Sequence, residues 1–158
     1  MDPGQSISES SGPAPSSRMD AGITVIIQDR SWHRLMRDPE RVVRRAAAVT
    51  GCQATFLLTN DTDVKRLNFT HRGRNKATNV LTFESGEIAL ASGVVAREAA
   101  REGKRPADHL AHLVVHGALH LQGHDHARAG DAIRMEMIET RLLGRIGVPN
   151  PWSKSWGK

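Results

Sequence analysis

Val80-Leu81-Thr82-Phe83, then Glu84-Ser85-Gly86, then Glu87-Ile88-Ala89-Leu90 is the stretch that decides the fold class. Its two outer runs are short and rich in aliphatic and aromatic residues, the composition of strands. Ser85-Gly86 between them predicts a hairpin, because glycine takes the positive φ that a tight reversal needs. Strands joined in this way are antiparallel. Two other runs read as strands: the β-branched Ile23-Thr24-Val25-Ile26-Ile27, and Ala54 to Thr59. Helical patterns separate these from each other and from the hairpin. The element order is β-α-β-α-β-β-α-α-α. It predicts an α+β fold, a mixed sheet of about four strands covered by about five helices.

The helices announce themselves at their ends. Asp38-Pro39-Glu40 offers an N-cap followed by proline at the first helical position, and Gly51 closes that helix. Val42, Val43, Ala46, Ala47 and Val49 form its apolar side; Arg41, Arg44 and Arg45 face water. Asn60 or Asp61 caps a short helix carrying Val64, Leu67 and Asn68. Residues 70–79 are polar and basic and read as a loop. Val94 to Glu102, Ala107 to Leu121 and Asp131 to Leu143 read as three further helices, the last ended by Gly144 or Gly147.

Residues 1–20 contain six Ser, three Pro and two Gly, too little apolar surface to offset ordering, and read as a disordered tail. Residues 21–150 are expected to form one domain, and 151–158 a short tail with Trp152 and Trp156. The chain carries a net charge of +5; the first 20 residues contribute −2, so the rest carries +7. That balance suggests a polyanionic partner, nucleic acid first. A single cysteine, Cys52, excludes an intramolecular disulfide framework and a Cys-rich zinc ribbon, and its apolar surroundings suggest a buried thiol. No run approaches the roughly 18 apolar residues of a membrane span. The N-terminus lacks the basic start and apolar run of a signal peptide. A cytosolic protein is the expectation.

Six of the eight histidines fall between 109 and 126. His116 and His120 are four apart on a predicted helix, so both rings lie on one face. His112 lies about 12 Å along the axis from His120, too far to share an ion with it. It reads, with His109, as a surface or supporting residue. A helix thus supplies two ligands, and Gly123 allows the chain to reverse so that a third can come from beyond it. His126 is the expected third ligand, and His124 competes for the role. Three imidazoles leave a fourth tetrahedral position open, the mark of a catalytic zinc. The expectation is one Zn²⁺ per chain, at a helix end. Metzincin proteases share this spacing but carry a general-base Glu directly after the first His; Gly117 stands there in this chain and argues against peptide hydrolysis.

His116-Gly117-Ala118-Leu119-His120-Leu121-Gln122-Gly123-His124-Asp125-His126 resembles the signature H-G-x-L-H-L-x-G-Y-D-H of the YbeY family of bacterial endoribonucleases. Leu67 to Phe83 is similar to that family's L-N-x-x-Y-R-x-x-x-x-P-T-D/N-V-L-S-F, and Gly86 to Leu90 to its G-D-I-x-I. The resemblance covers about residues 22–150. His124 and His71 stand where the family has Tyr, Ala77 where it commonly has Pro, and Glu87 where it has Asp.

The resemblance implies a zinc-dependent endoribonuclease that prefers single strands. It would act on the 16S rRNA precursor in 3′-end maturation and in ribosome quality control, with the ribosome or its small subunit as partner. It also implies that Arg72 is the functional arginine. A guanidinium fork suits a phosphate. Arg74 and Lys76 then add general attraction to the RNA backbone. Asp125 is a candidate to orient a ligand imidazole. Glu136 and Glu139 are candidate general bases, although a solvated helix face is the simpler reading of both. Water and the RNA 2′-OH both remain as nucleophile. Two other readings stand beside this one: a ribosome-associated assembly factor with a mainly structural metal, and a metal-dependent hydrolase of another substrate.

Overall fold

The computed structural model describes residues 22–72, 78–123 and 129–152, without the side chains of Arg72 and Ala129. The expected tail at 1–20 and residues 153–158 of the expected tail at 151–158 lie outside the described residues; Pro151 and Trp152 are described. The elements in chain order are β1 (Ile23–Ile27), α1 (Ser31–Leu35), α2 (Pro39–Thr50), β2 (Ala54–Thr59), α3 (Asp61–Arg72), β3 (Val80–Phe83), β4 (Glu87–Ala91), α4 (Ser92–Glu102), α5 (Pro106–Leu121) and α6 (Ala129–Arg145).

The strands form one sheet in the order β1-β2-β4-β3. β1 and β2 run parallel, as do β2 and β4, while β3 returns antiparallel to β4. The hairpin therefore makes the sheet mixed. Its loop is the three residues between the paired Phe83 and Glu87. Gly86, at φ +106°, donates its N–H to the Phe83 carbonyl at 2.9 Å.

β4 is buried on both faces, and period two sorts its side chains by size. Ile88 and Leu90 join Phe56 and Leu58 of β2 in the main core, against Val43, Ala46 and Ala47 of α2 and Leu110, Val114 and Ala118 of α5. Ala89 and Ala91 point the other way, into a smaller core with Val64 of α3 and Leu81 of β3. α5 is the central helix and packs on α2, α4, α6 and β3. Its Gly117 is pressed against the sheet: a Cβ there would come within 3.2 Å of Ile88 Cγ2 and 3.4 Å of Val80 Cγ2. Glycine at this position lets helix and sheet approach.

The predicted caps are present. The Asp38 carboxylate accepts from Arg41 N at 3.1 Å, with Pro39 opening α2. Of the two alternatives for α3, Asn60 is the cap: its side-chain oxygen accepts from Asp63 N at 2.7 Å. α6 runs through Gly144, and Gly147 is the glycine with positive φ that follows it.

Two features differ from the sequence reading. α1 is an additional single-turn helix, ordered by Trp32, which is fully buried and donates Nε1–H to the Thr59 carbonyl at 2.8 Å. The expected loop at 70–79 begins later, because α3 continues through Arg72. Its polar last turn rests on an aromatic contact, the His71 ring meeting Phe83 edge to face at 4.8 Å. Cys52 is buried and free, as expected, and burial raises its thiol pKa.

Candidate active site

α5 carries its histidines as one stripe with a gradient of exposure. The side chains are 4% exposed at His109, 10% at His112 and 25% at His116. The gradient follows from the central place of α5: its N-terminal part lies under α4 and α6, and its C-terminal part emerges at the sheet edge beside β3. There His116 and His120 line an open cleft of about 710 Å³ together with Asn68 of α3, Thr78, Asn79 and residues of β3. Their rings meet edge to face with centroids 4.7 Å apart, as i, i+4 spacing on one helix face requires. The predicted pair is thus brought together and opens to solvent.

Beyond Leu121 the helix ends at Gly123, whose φ of +97° and N–H bond to the His120 carbonyl at 3.0 Å turn the chain aside. His124, Asp125 and His126 lie outside the described residues, as do Arg74 and Lys76. Among the described residues no group of three or more His, Cys, Asp or Glu is placed to hold one metal ion. Arg72 is the last residue of α3, one helical turn after the cleft-lining Asn68 and therefore on the same stripe of that helix.

The residue that sequence reasoning misplaced is Glu139. It was expected on a solvated face of the last helix. Instead α6 packs on α5, and Glu139 is 1% exposed beneath the histidine stripe. Its Oε1 lies 2.9 Å from His112 Nε2, and its Oε2 lies 2.6 Å from His116 Nδ1. Burial acts to raise the carboxyl pKa, but the hydrogen bonds from His112 and His116 outweigh it and hold the group well below the usual carboxylate range. Glu139 is an ionised acceptor between two imidazoles. Glu136, the other candidate base on α6, is half-buried and is not among the residues that line the cleft.

A second carboxylate does similar work one turn earlier. Glu98 of α4 takes bonds from His109 Nε2 at 2.8 Å and from the Asn79 amide at 2.9 Å. Asn79, at the start of β3, is thereby anchored where it lines the cleft. His109 and His112 are thus buried supporting residues. The edge of Trp152 closes over His112 at 5.2 Å. His112 is thereby kept out of the solvent-open cleft that His116 and His120 share.

Comparison with known proteins bears on what this cleft does. A Thermotoga maritima protein solved in solution shares the fold, with a TM-score of 0.51 and 23% identity over 86% of this chain and 99% of that one. Endoribonuclease YbeY of Gluconobacter oxydans is 44% identical over 154 residues, covering 87% of this chain and 91% of that protein. Endoribonuclease YbeY of Aromatoleum aromaticum is 46% identical over 115 residues, 68% of this chain and 75% of the relative. That of Maricaulis maris is 39% identical over 145 residues, 82% of this chain and 91% of the relative. The sequence model of the family described as Endoribonuclease YbeY matches residues 24–147, which takes in every strand and helix of the core but the first residue of β1, and the chain belongs to that family.

Proposed function

We propose that this chain is a zinc-dependent endoribonuclease that cuts single-stranded RNA, acting in the cytoplasm on the 16S rRNA precursor during 3′-end maturation and in ribosome quality control. Family membership makes it an RNA-cleaving hydrolase. The observation that carries the metal reading is the pair of imidazoles at 4.7 Å on one face of α5, lining an open cleft. The donor chemistry fits zinc: neutral imidazoles on i, i+4 positions, one of them backed by a carboxylate, are what this ion takes in proteins. His116 and His120 would hold it, with His126 as third ligand. When bound, it would supply a Lewis acid for a phosphoryl oxygen and a water of lowered pKa.

The chain's own groups account for the rest. The cleft is wide enough for a sugar–phosphate backbone, and Asn79 offers an amide already fixed by Glu98. Arg72, four positions after Asn68 on α3, would supply a guanidinium for the phosphate charge that builds in the transition state. Arg74 and Lys76 would add general attraction to the RNA backbone. Asp125, next to the third ligand, would orient its ring. Gly117 has no side chain and so cannot deliver the carboxylate of a peptidase; a Cβ there would already press on Ile88 and Val80. Metal analysis of purified protein, combined with cleavage of a single-stranded RNA oligonucleotide with and without chelator, tests the proposal. Stoichiometric zinc and chelator-sensitive cleavage are expected. Full cleavage by metal-free protein would reject the zinc reading and leave the nuclease assignment standing.

A further inference from the structure

Glu139 backs one of the cleft imidazoles from behind: it is the one buried acid among the described residues, 1% exposed, and 23 positions in sequence from His116. Burying an ionised carboxylate is costly unless its acceptors are filled. Here each oxygen has one imidazole nitrogen, at 2.9 Å and 2.6 Å. Each contact is a hydrogen bond in which the ring nitrogen donates and the carboxyl oxygen accepts. A second observation agrees for His112: its Nδ1 is buried and has no partner among the described residues. A buried N–H without an acceptor costs more than an idle lone pair, so the His112 proton belongs on Nε2, facing Glu139. Across the carboxylate, His116 Nδ1 is the donor to the other oxygen, at 2.6 Å. With Nδ1 turned to Glu139, Nε2 is the nitrogen through which a neutral His116 ring would ligate a metal, on the edge of the ring away from Glu139.

We infer that Glu139 is a positioning residue: it locks His116 in the Nδ1–H tautomer and fixes the ring so that Nε2 is presented to a metal in the cleft, while His112 fills the remaining carboxylate oxygen and keeps it from turning. This rests on the zinc reading for its purpose, but the tautomer is a property of the metal-free chain. The device explains why a histidine that reads as a spare member of the stripe is kept buried. Its task is to complete the acceptor shell of Glu139 so that the acid can serve His116 alone with its other oxygen.

The test uses the full chain, wild type and Glu139→Gln, with metal removed. Long-range ¹⁵N–¹H spectra of the histidine side chains report each tautomer directly. Wild-type His116 is expected as Nδ1–H. Glu139→Gln keeps the volume but offers one acceptor where two are needed, so His116 should shift toward a mixture of tautomers. Zinc affinity, measured by competition with a chelating dye, should fall roughly 10- to 100-fold. The metal-free melting temperature should fall far less than the loss of zinc affinity implies. Wild-type His116 found as Nε2–H would overturn the inference even if the variant fails to fold. So would an unchanged tautomer and zinc affinity within twofold in Glu139→Gln. Wild-type protein that takes up no zinc yet shows His116 as Nδ1–H would instead overturn the zinc reading and leave the hydrogen-bond assignment intact.

Discussion

Trp32 shows how one side chain holds a junction together. It is completely buried, and its indole N–H bonds the carbonyl of Thr59 at the end of β2. Trp32→Ala would open a large cavity and strand that carbonyl, so a loss of about 3–5 kcal/mol is expected in chemical denaturation. A loss under about 1 kcal/mol would mean that α1 is an accessory to the fold. At this scale the sequence was legible where chemistry repeats locally. His116 and His120 are four apart, and the helix alone makes them neighbours. Asp38 and Asn60 cap because their partners lie three residues on. Glu139 was not legible. It reads as one more acid on an amphipathic helix, and only the packing of α6 on α5 buries it against two imidazoles. Gly117 was legible as a missing carboxylate, but its packing role, the approach of α5 to Ile88 and Val80, lies in the sheet and not in the motif.

Between residues and the whole, α1 and α3 are joined by one acid. Asp29 Oδ1 accepts from Ser31 N at 2.8 Å at the start of α1, and its Oδ2 accepts from the Asn60 amide at 3.0 Å at the cap of α3. Hydrogen bonds from Ser31, side chain and backbone, together with the one from Asn60, hold its carboxyl down to about 2. A depressed carboxyl pKa adds stability above the ordinary carboxylate range, which is lost as pH falls from about 4 toward 2. Asp29→Asn should therefore lower the melting temperature at neutral pH and flatten its fall across that acid window. A variant with the wild-type acid profile would show that Asp29 does not link the two helices energetically. α1 was missed because five residues carry no periodicity; what orders it is a tertiary pocket for Trp32. α3 outran its expected end because its last turn is polar, and composition there outweighed the contact of His71 with Phe83. That extension matters for Arg72, which becomes the last residue of a helix and not a free loop position. Arg72→Ala should keep fold and metal content but slow RNA cleavage about 10²-fold, the usual cost of losing one transition-state charge donor. Arg72→Lys should restore only part of that, since a point charge lacks the fork. Wild-type rates in Arg72→Ala would move the role to Arg74 or Lys76.

The whole molecule is arranged around α5. Wrapping one helix with α2, α4, α6 and β3 gives its histidine stripe a dry end and a wet end, and the cleft forms where the wrapping stops. The mixed sheet behind this was legible, because a hairpin follows two helix-separated strands; the order β1-β2-β4-β3 was not read from the pattern. What the pattern could not supply was which residues, distant in sequence, would line the cleft with the histidines; Asn68 arrives on α3, which packs on β4, and Asn79 just before β3. The charge balance acts at the same scale. Outside the first 20 residues the chain carries +7, and among the described residues several arginines are already engaged by acids: Arg44 with Glu40, Arg66 with Asp63, Arg97 with Asp61. These pairs are exposed and weak, so a polyanion can compete for them. RNA binding should therefore depend on releasing counterions from the strand. Each phosphate neutralised contributes roughly −0.7 to the slope of log affinity against log salt for single strands, so engaging about four gives a slope near −3. Affinity for a single-stranded oligonucleotide should drop roughly 50-fold when salt rises fourfold. A truncation beginning near Ala21 removes a net charge of −2 and should bind at least as tightly, with the same slope. The measurement is a fluorescence-anisotropy titration of both proteins at several salt concentrations. A flat salt dependence would place recognition in the uncharged cleft groups, Asn79 foremost, and a weaker truncated protein would assign the first 20 residues a part in RNA binding that their composition does not suggest.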